Sequence, residues 1–157
     1  MGTRGTIAVR IDGTTHSAYN HWDSYPSGLG EKMLAAAKVM LADRPVWEQR
    51  VRDMKPVPDR KPTEEEIKAL EPFTDLGVST GRTDDWYCLL RNTQGDILTT
   101  VKAGLYEPFP VGDEEWSYVI DFDADIFEVW DGPKRVRKFP FADLPDTLKG
   151  KRIPNYS

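Results

Sequence analysis

Residues 5–20 read GTIAVRIDGTTHSAYN, and this stretch predicts a β-hairpin. Apolar and polar side chains alternate along its first seven residues, which is typical of a strand with one buried face. Asp12 and Gly13 follow, and an Asp-Gly pair tolerates the positive φ angles of a two-residue hairpin turn. The last seven residues form the return strand. The fold is therefore expected to begin with two antiparallel strands.

The length of this turn fixes which residues of the two strands face each other. If the loop is the two-residue Asp-Gly turn, the numbers of opposed residues add up to 25. Thr6 then faces Tyr19, and Arg4 faces His21. The N-terminal Arg4 is thus expected beside the polar and aromatic segment that follows the hairpin.

The middle of the chain predicts helices, and the C-terminal third predicts strands. Thr63 and Glu66 have the spacing of a capping box, which marks a helix start. Residues 115–122, EWSYVIDF, alternate like a half-buried strand. The predicted helices cover residues 30–43, 45–55, 63–71, 83–95 and 97–104, and the predicted C-terminal strands cover 115–122, 126–132 and 134–141.

The order of these elements predicts the fold class. Strands and helices are segregated along the chain, which is typical of an α+β protein. We expect one antiparallel sheet, made from the N-terminal hairpin and the C-terminal strands, with helices packed on one face. The 157 residues are expected to form a single domain, with residues 142–157 as a peripheral tail.

Composition narrows the classes of partner. The net charge of -5 argues against a protein that binds a nucleic-acid polymer, since such proteins usually present a basic surface. Apolar runs are too short for a membrane span, and the N-terminus lacks the apolar core of a signal peptide. Cys88 is the single cysteine, so no internal disulfide is possible. We expect a soluble cytoplasmic protein; composition does not indicate its oligomeric state.

The segment YNHWDSYPSGLG, residues 19–30, carries the densest chemistry in the chain. It combines aromatic rings for stacking with a histidine, and a helix N-terminus that favours anions follows at once. An arginine opposite it would add a fork suited to phosphate or carboxylate. The segment therefore predicts a pocket for a small anionic or nucleotide-like ligand. The candidate ligand-binding residues are Arg4, Tyr19, Asn20, His21, Trp22, Asp23, Ser24 and Tyr25.

Three other interpretations of this segment stay open. In a hydrolase, His21 would act as general base, Asp23 would orient it, and Arg4 would stabilise the developing charge. In a protein-interaction module for a host protein, exposed tryptophans such as Trp22 or Trp47 would form the contact surface. In a purely structural turn, the polar side chains would cap the backbone and the aromatic rings would be core.

Other residues with reactive side chains favour structural roles. His16 is expected on a face of the sheet, and Cys88 is expected to be a packed residue within a helix. Asp84 and Asp85 suit the start of that helix, although they could also lie near the candidate site. Metal binding would need ligands beyond His21 and Asp23, so we predict no metal site and no other cofactor.

Four blocks of sequence carry a resemblance to a known family: TRG at 3–5, YNHWDSYPSGLG at 19–30, WYCLLRNTQGD at 86–96 and EWSYVIDFD at 115–123. With these blocks the chain resembles a family of small proteins of phages, bacteria and fungi that has no assigned activity. The region 45–81 matches less and is expected to be a variable helical and loop insertion. The resemblance implies a phage-type accessory protein in the host cytoplasm. Such a protein could sequester a host metabolite or immune signal.

Overall fold

The N-terminal hairpin has the predicted register. In the computed structural model, which describes residues 3–148, strands β1 (Gly5–Ile11) and β2 (Thr14–Asn20) pair antiparallel, with Thr6 opposite Tyr19. Asp12 and Gly13 form the turn with φ angles of 52° and 76°. The positive φ angles explain why an Asp-Gly pair occupies this position. The hairpin prediction is therefore confirmed.

Three C-terminal strands complete the sheet and confirm the α+β fold. The strand order is β2-β1-β5-β6-β7. The β1–β5 pair is parallel, which corrects the expectation of a wholly antiparallel sheet. Within residues 3–148, all five α-helices lie between β2 and β5 in sequence, and this long connection returns the chain to the end of the sheet where β1 begins. The three strands are β5 (Trp116–Asp121), β6 (Ile126–Asp131) and β7 (Lys134–Pro140).

The helices are short, and local signals explain where most of them start. Thr63 and Glu66 form the predicted capping box, and the side chain of Asp96 caps a later helix by accepting from Thr99 N. Two short strands, β3 (Lys55–Pro56) and β4 (Leu105–Tyr106), pair parallel in a separate small sheet. The helices are α1 (Glu31–Ala42), α2 (Arg44–Arg52), α3 (Glu64–Ala69), α4 (Trp86–Leu89) and α5 (Ile97–Ala103).

Helix α4 is much shorter than the predicted helix 83–95. Asp85, not Thr83 or Asp84, caps its start by accepting from Tyr87 N. After Leu89 the chain tightens into a 3₁₀ turn (Arg91–Thr93), and Gly95 then takes a positive φ of 74°. The long helix predicted from the sequence is therefore one α-turn and one 3₁₀ turn.

The main core lies between one face of the large sheet and helices α1, α2 and α5. Met40, Trp47 and Ile97 of these helices share one apolar cluster with the sheet residues Ile7 and Tyr118. A smaller cluster around Leu89 and Leu90 packs α3 and α4 apart from the sheet. Helix α2 lies in the region predicted to vary, yet it contributes to the main core.

The opposite face of the sheet is partly covered by residues 107–113. Phe109 N donates to Ser17 Oγ at 2.8 Å, and Gly112 N donates to Ser117 Oγ at 3.2 Å. Small side chains on these strands are fully buried as a result. The loop therefore brings the chain that follows β4 close to β2, next to the candidate site.

Farther along the same face, charged side chains cross the strands. Arg10 Nη1 lies 2.8 Å from Asp121 Oδ2 and 3.4 Å from Glu128 Oε1. Arg135 Nη1 lies 2.7 Å from Glu128 Oε2, and Trp130 Nε1 donates to Glu128 Oε1 at 3.2 Å. Glu128 is thus the centre of a network that joins β1, β5, β6 and β7.

The ends of the chain and its hydropathy complete the description. Within the predicted tail 142–157, Leu148 is buried in the main core, and residues 149–157 lie outside the described residues. Across residues 3–148, no helix combines the length and the apolar character needed to cross a bilayer.

Candidate functional site

The segment after β2 is fixed to the sheet by hydrogen bonds. Asn20 Nδ2 donates to Ser24 Oγ at 2.9 Å and also to the Trp22 carbonyl. Tyr118 Oη, on β5, donates to the Ser24 carbonyl at 2.7 Å. Ser24 is fully buried, and Leu29 N donates to the Asp23 carbonyl at 2.9 Å. Asn20 and Ser24 therefore have the structural role that the turn interpretation expected of polar residues here.

A cavity of about 430 Å³ opens beside this segment. Two lining residues come from the predicted site, and four come from the chain between α3 and α5. The second group was not predicted from the sequence. The lining residues are His21, Trp22, Val78, Ser79, Tyr87 and Arg91.

The ring of His21 is oriented by Tyr19. The Tyr19 hydroxyl lies 2.8 Å from His21 Nδ1, and the Trp22 ring meets the His21 ring edge-on with centroids 4.5 Å apart. The Asp23 carboxylate, which the hydrolase hypothesis assigned to this role, is exposed and makes no hydrogen bond within residues 3–148. The structure therefore pairs His21 with a phenol instead of a carboxylate.

Among the described residues, Arg91 is the single Lys, Arg, Asp or Glu side chain that lines the cavity. It is half-buried, and within the described part of the chain its guanidinium has no hydrogen bond or ion pair. A guanidinium removed from water without a counterion is unfavourable, and it attracts an anion. The cavity is therefore locally positive in a chain of net charge -5.

Asp85 holds the wall of the cavity in place. Its Oδ2 accepts from Ser79 Oγ and from Thr80 Oγ1, both at 2.9 Å, and its Oδ1 accepts from Tyr87 N at 3.0 Å. Burial would raise the pKa of Asp85, but hydrogen bonds from Ser79 and Thr80 outweigh it and hold the pKa below its usual value. Asp85 is thus a charged anchor whose oxygens are already engaged.

Six of the eight predicted ligand-binding residues do not line the cavity: Tyr19, Asn20 and Ser24, described above, and Arg4, Asp23 and Tyr25. Arg4, Asp23 and Tyr25 are all exposed. The ladder of the hairpin ends at the pair Gly5–Asn20, so Arg4 lies just beyond it, and no hydrogen bond joins Arg4 to His21 in the described residues. The register was predicted correctly, but the neighbouring positions of Arg4 and His21 do not produce a hydrogen bond between their side chains.

A second cavity, of about 510 Å³, lies on the other side of the 78–87 segment. Its cations are already paired: Lys61 Nζ and Arg82 Nη2 lie 3.1 Å and 2.6 Å from Asp84 Oδ2. Arg60 pairs with Glu66 at 2.7 Å. Because these charges compensate each other, this cavity offers an anion less than the His21 cavity does.

Glu107 lines the second cavity and has no hydrogen bond within residues 3–148. Burial, together with the charge of Asp85, raises the pKa of Glu107 above its ordinary value of 4.5. Between pH 4.5 and the raised pKa, Glu107 therefore holds its proton more often in the folded protein than in the unfolded chain. Stability is lost as pH rises through the raised pKa.

We therefore expect Glu107→Gln to stabilise the protein at neutral pH, with a gain that disappears at and below a pH near 4.5. Urea denaturation across this pH range measures the difference. Glu65→Gln, an exposed glutamate in α3, is the control and should show no such pH-dependent gain. A constant difference between Glu107→Gln and the wild type at all pH values would contradict the assignment.

The remaining residues considered from the sequence have structural surroundings. His16 is buried with its ring centroid 5.3 Å from that of Tyr106, and burial lowers its pKa. Cys88 is fully buried, and its Sγ donates to Asp85 Oδ2 at 3.6 Å. Among residues 3–148, no group of three or more His, Cys, Asp or Glu side chains is arranged to hold a metal ion.

The residues missed from the sequence gave a weak signal. Tyr87 and Arg91 are four residues apart, so they lie on one side of a helical turn, but nothing local indicates that this side faces His21. Family models, curated proteins and solved structures were all compared with the chain, and none matched.

Proposed function

We propose that the protein binds a small organic anion with a planar group in the His21 cavity. The cavity volume of about 430 Å³ falls in the range of pockets that hold small molecules, roughly 300–1,000 Å³. Trp22 is 57% exposed at the cavity and offers a large aromatic surface for stacking. A nucleotide or an aromatic acid has both required parts, a planar ring and an anion.

The unpaired guanidinium of Arg91 is the observation that carries this proposal. Most arginines described above have a carboxylate partner, whereas Arg91 lies in a cavity without one. An anionic ligand would supply the missing partner through charge-assisted hydrogen bonds. Among the described residues no acidic side chain lines the cavity, and the nearby carboxylate of Asp85 is already engaged by the hydroxyls of Ser79 and Thr80.

The structure favours this function over a protein-interaction module. Trp47, one of the two tryptophans considered for such a surface, is 7% exposed and packs in the main core. Trp22 is exposed, but it borders a cavity instead of a flat surface. A concave site with a charge at its wall suits a small molecule better than a protein partner.

The biological setting remains part of the proposal. The resemblance described above supports a phage-type accessory protein that sequesters a small anionic signal of its host in the host cytoplasm. Sequestration needs tight binding and no turnover. The alternative, hydrolysis at His21, predicts that a bound ligand is consumed.

We expect Arg91→Gln to weaken ligand binding about tenfold or more, because it removes the charge and leaves a shorter, neutral polar side chain. Isothermal titration calorimetry with adenosine 5′-monophosphate, phenyl phosphate and benzoate measures the dissociation constants. A saturating ligand, at about one hundred times its Kd, should also stabilise the wild type by about 2.7 kcal/mol in thermal unfolding.

Lys138→Gln is the matched control for the loss of one positive charge. Lys138 is exposed on β7, at the opposite edge of the sheet from β2. The Lys138→Gln variant should therefore bind the ligand as tightly as the wild type does. Equal weakening in both variants would show that only net charge matters. Undiminished affinity in Arg91→Gln would place the ligand elsewhere.

A further inference from the structure

We infer that the His21 cavity holds the oxyanion of its ligand, a phosphate or a carboxylate, between Arg91 and the Nε2–H of His21, and that Tyr19 positions that proton. This inference rests on the proposed function and specifies its ligand. It also assigns His21 the role of a hydrogen-bond donor instead of a general base. Tyr19 is a positioning residue, since it acts on the ligand through His21.

The hydrogen bond between Tyr19 and His21 has a defined direction. The two atoms lie 2.8 Å apart, and in the described residues the Tyr19 hydroxyl has no other partner. A phenol is a good donor and a poor acceptor, because its lone pairs delocalise into the ring. Burial raises the pKa of Tyr19 despite the opposing charge of Arg4, so the hydroxyl keeps its proton. Tyr19 therefore donates to Nδ1.

The second step follows from the chemistry of imidazole. A neutral ring carries one proton, and the nitrogen that accepts a hydrogen bond is the one without it. Since Nδ1 accepts from Tyr19, the proton resides on Nε2. Nε2 has no hydrogen-bond partner within residues 3–148, so its N–H is available to a ligand. A general base would need the reverse arrangement, with a lone pair on Nε2.

The third step concerns the other polar groups in the cavity. Ser79 Oγ gives its proton to Asp85, so it offers a ligand only lone pairs. The Tyr87 hydroxyl makes no hydrogen bond in the described part of the chain and is a further donor. The cavity lining thus offers N–H or O–H donors on His21, Trp22, Tyr87 and Arg91, whereas Ser79 offers only an acceptor. This pattern matches an oxyanion and disfavours a cation.

The tautomer of His21 is measured without any ligand. The chain has two histidines, so spectra of protein labelled with ¹⁵N-histidine are simple to assign with His16→Gln and His21→Gln variants. Long-range ¹H–¹⁵N correlation above neutral pH should show a pyridine-type Nδ1 and a pyrrole-type Nε2 for His21. In Tyr19→Phe both signals should move toward the average of two exchanging tautomers. A pyrrole-type Nδ1 in the wild type would overturn the inference and favour the hydrolase hypothesis.

The ligand class is measured with four probes that share one ring: phenyl phosphate, benzoate, benzyl alcohol and benzylamine. We expect the two anions to bind at least about tenfold more tightly than the alcohol and the amine. The ratio between phenyl phosphate and benzoate identifies which oxyanion the site prefers. Equal binding of benzyl alcohol and the anions would overturn the inference but leave a small-molecule site in place.

Two substitutions of His21 separate a donor from a space-filling ring. His21→Gln keeps an N–H near the position of Nε2, and we expect its Kd for the preferred anion to stay within about threefold of the wild type. His21→Leu removes the donor, and its Kd should rise about tenfold, the equivalent of one charge-assisted hydrogen bond. Equal losses in both variants would overturn the donor role alone. Failure of all four probes and of adenosine 5′-monophosphate to bind the wild type would refute the proposed function as well.

Discussion

Gly95→Ala is expected to lower the free energy of unfolding by about 2–5 kcal/mol, from backbone strain together with overpacking. Gly95 has a φ of 74°, a conformation that costs any residue with a side chain. A Cβ at this position would also lie 2.4 Å from Asn20 Oδ1. Asn20 is held by Ser24 and by the Trp22 carbonyl, so it cannot move away without breaking these bonds.

Gly104→Ala is the matched control for the backbone term. Gly104 has almost the same φ, 75°, but a Cβ there would meet no atom within 4 Å. The Gly104→Ala substitution should therefore lower the free energy of unfolding by the cost of backbone strain alone, about 1–2 kcal/mol. Urea denaturation measures the free energy of unfolding of both variants. The extra loss in Gly95→Ala is then the cost of the clash with Asn20. Equal destabilisation of the two variants would show that Asn20 adjusts freely.

A double variant tests whether the Asn20 side chain causes the extra destabilisation of Gly95→Ala. In Asn20→Ala the obstructing amide is absent, so adding Gly95→Ala should cost no more than Gly104→Ala does. The two single changes are therefore expected to be strongly non-additive. Additive losses would mean that Gly95 acts through the backbone alone.

Glu128→Gln is expected to cost about 2–3 kcal/mol in the free energy of unfolding. Its side chain is 3% exposed, and its carboxylate is the shared partner of Arg10 and Arg135. Removing one member of a fully buried ion pair typically costs about 3–5 kcal/mol. The expected loss is smaller here because Arg10 and Arg135 are 27% and 41% exposed. Water can therefore solvate their guanidinium groups once the counterion is removed.

Asp125→Asn is the control for an ion pair in solvent. Asp125 Oδ1 lies 2.6 Å from Arg44 Nη2, a shorter distance than either contact of Glu128, but Asp125 is 59% exposed. We expect a loss below about 1 kcal/mol. Chemical denaturation of both amide variants compares them. A larger loss in Asp125→Asn than in Glu128→Gln would show that burial does not decide the strength of these pairs.

The features that could be predicted from the sequence are set by neighbouring residues. The Asp-Gly turn fixes the register of the hairpin, and Thr63 and Glu66 satisfy each other within one helical turn. The alternation along β5 and β6 predicted both strands, but the expectation of a half-buried strand is wrong for β5, because all six of its residues are buried. Residues 107–113 help to cover its second face, where Gly112 N donates to Ser117 Oγ. Each of these signals is complete within a few residues, so no knowledge of distant contacts was needed.

The features that could not be predicted depend on contacts between distant segments. The direction in which β5 pairs with β1 is decided by the path of the helices between them, and no residue of either strand encodes it. The same holds for the cavity, since Arg91 lies in the 3₁₀ turn after α4 and lines the same cavity as His21, 70 positions away in the sequence. His21 and Trp22, which the sequence analysis selected for their chemistry, line this cavity, whereas the residue that orients His21 was predicted as Asp23 and is Tyr19.

The parallel pairing of β1 with β5 also affects the order of events during synthesis. The ion pair between Arg10 and Asp121 joins residues 111 positions apart, so the first strand leaves the ribosome long before its neighbour exists. The hairpin can form early, but an isolated two-stranded hairpin is only marginally stable in water. Closing so long a loop is entropically costly, and folds with many distant contacts form slowly. The nascent chain must therefore keep the apolar face of its hairpin from aggregating until the last third of the protein has been made.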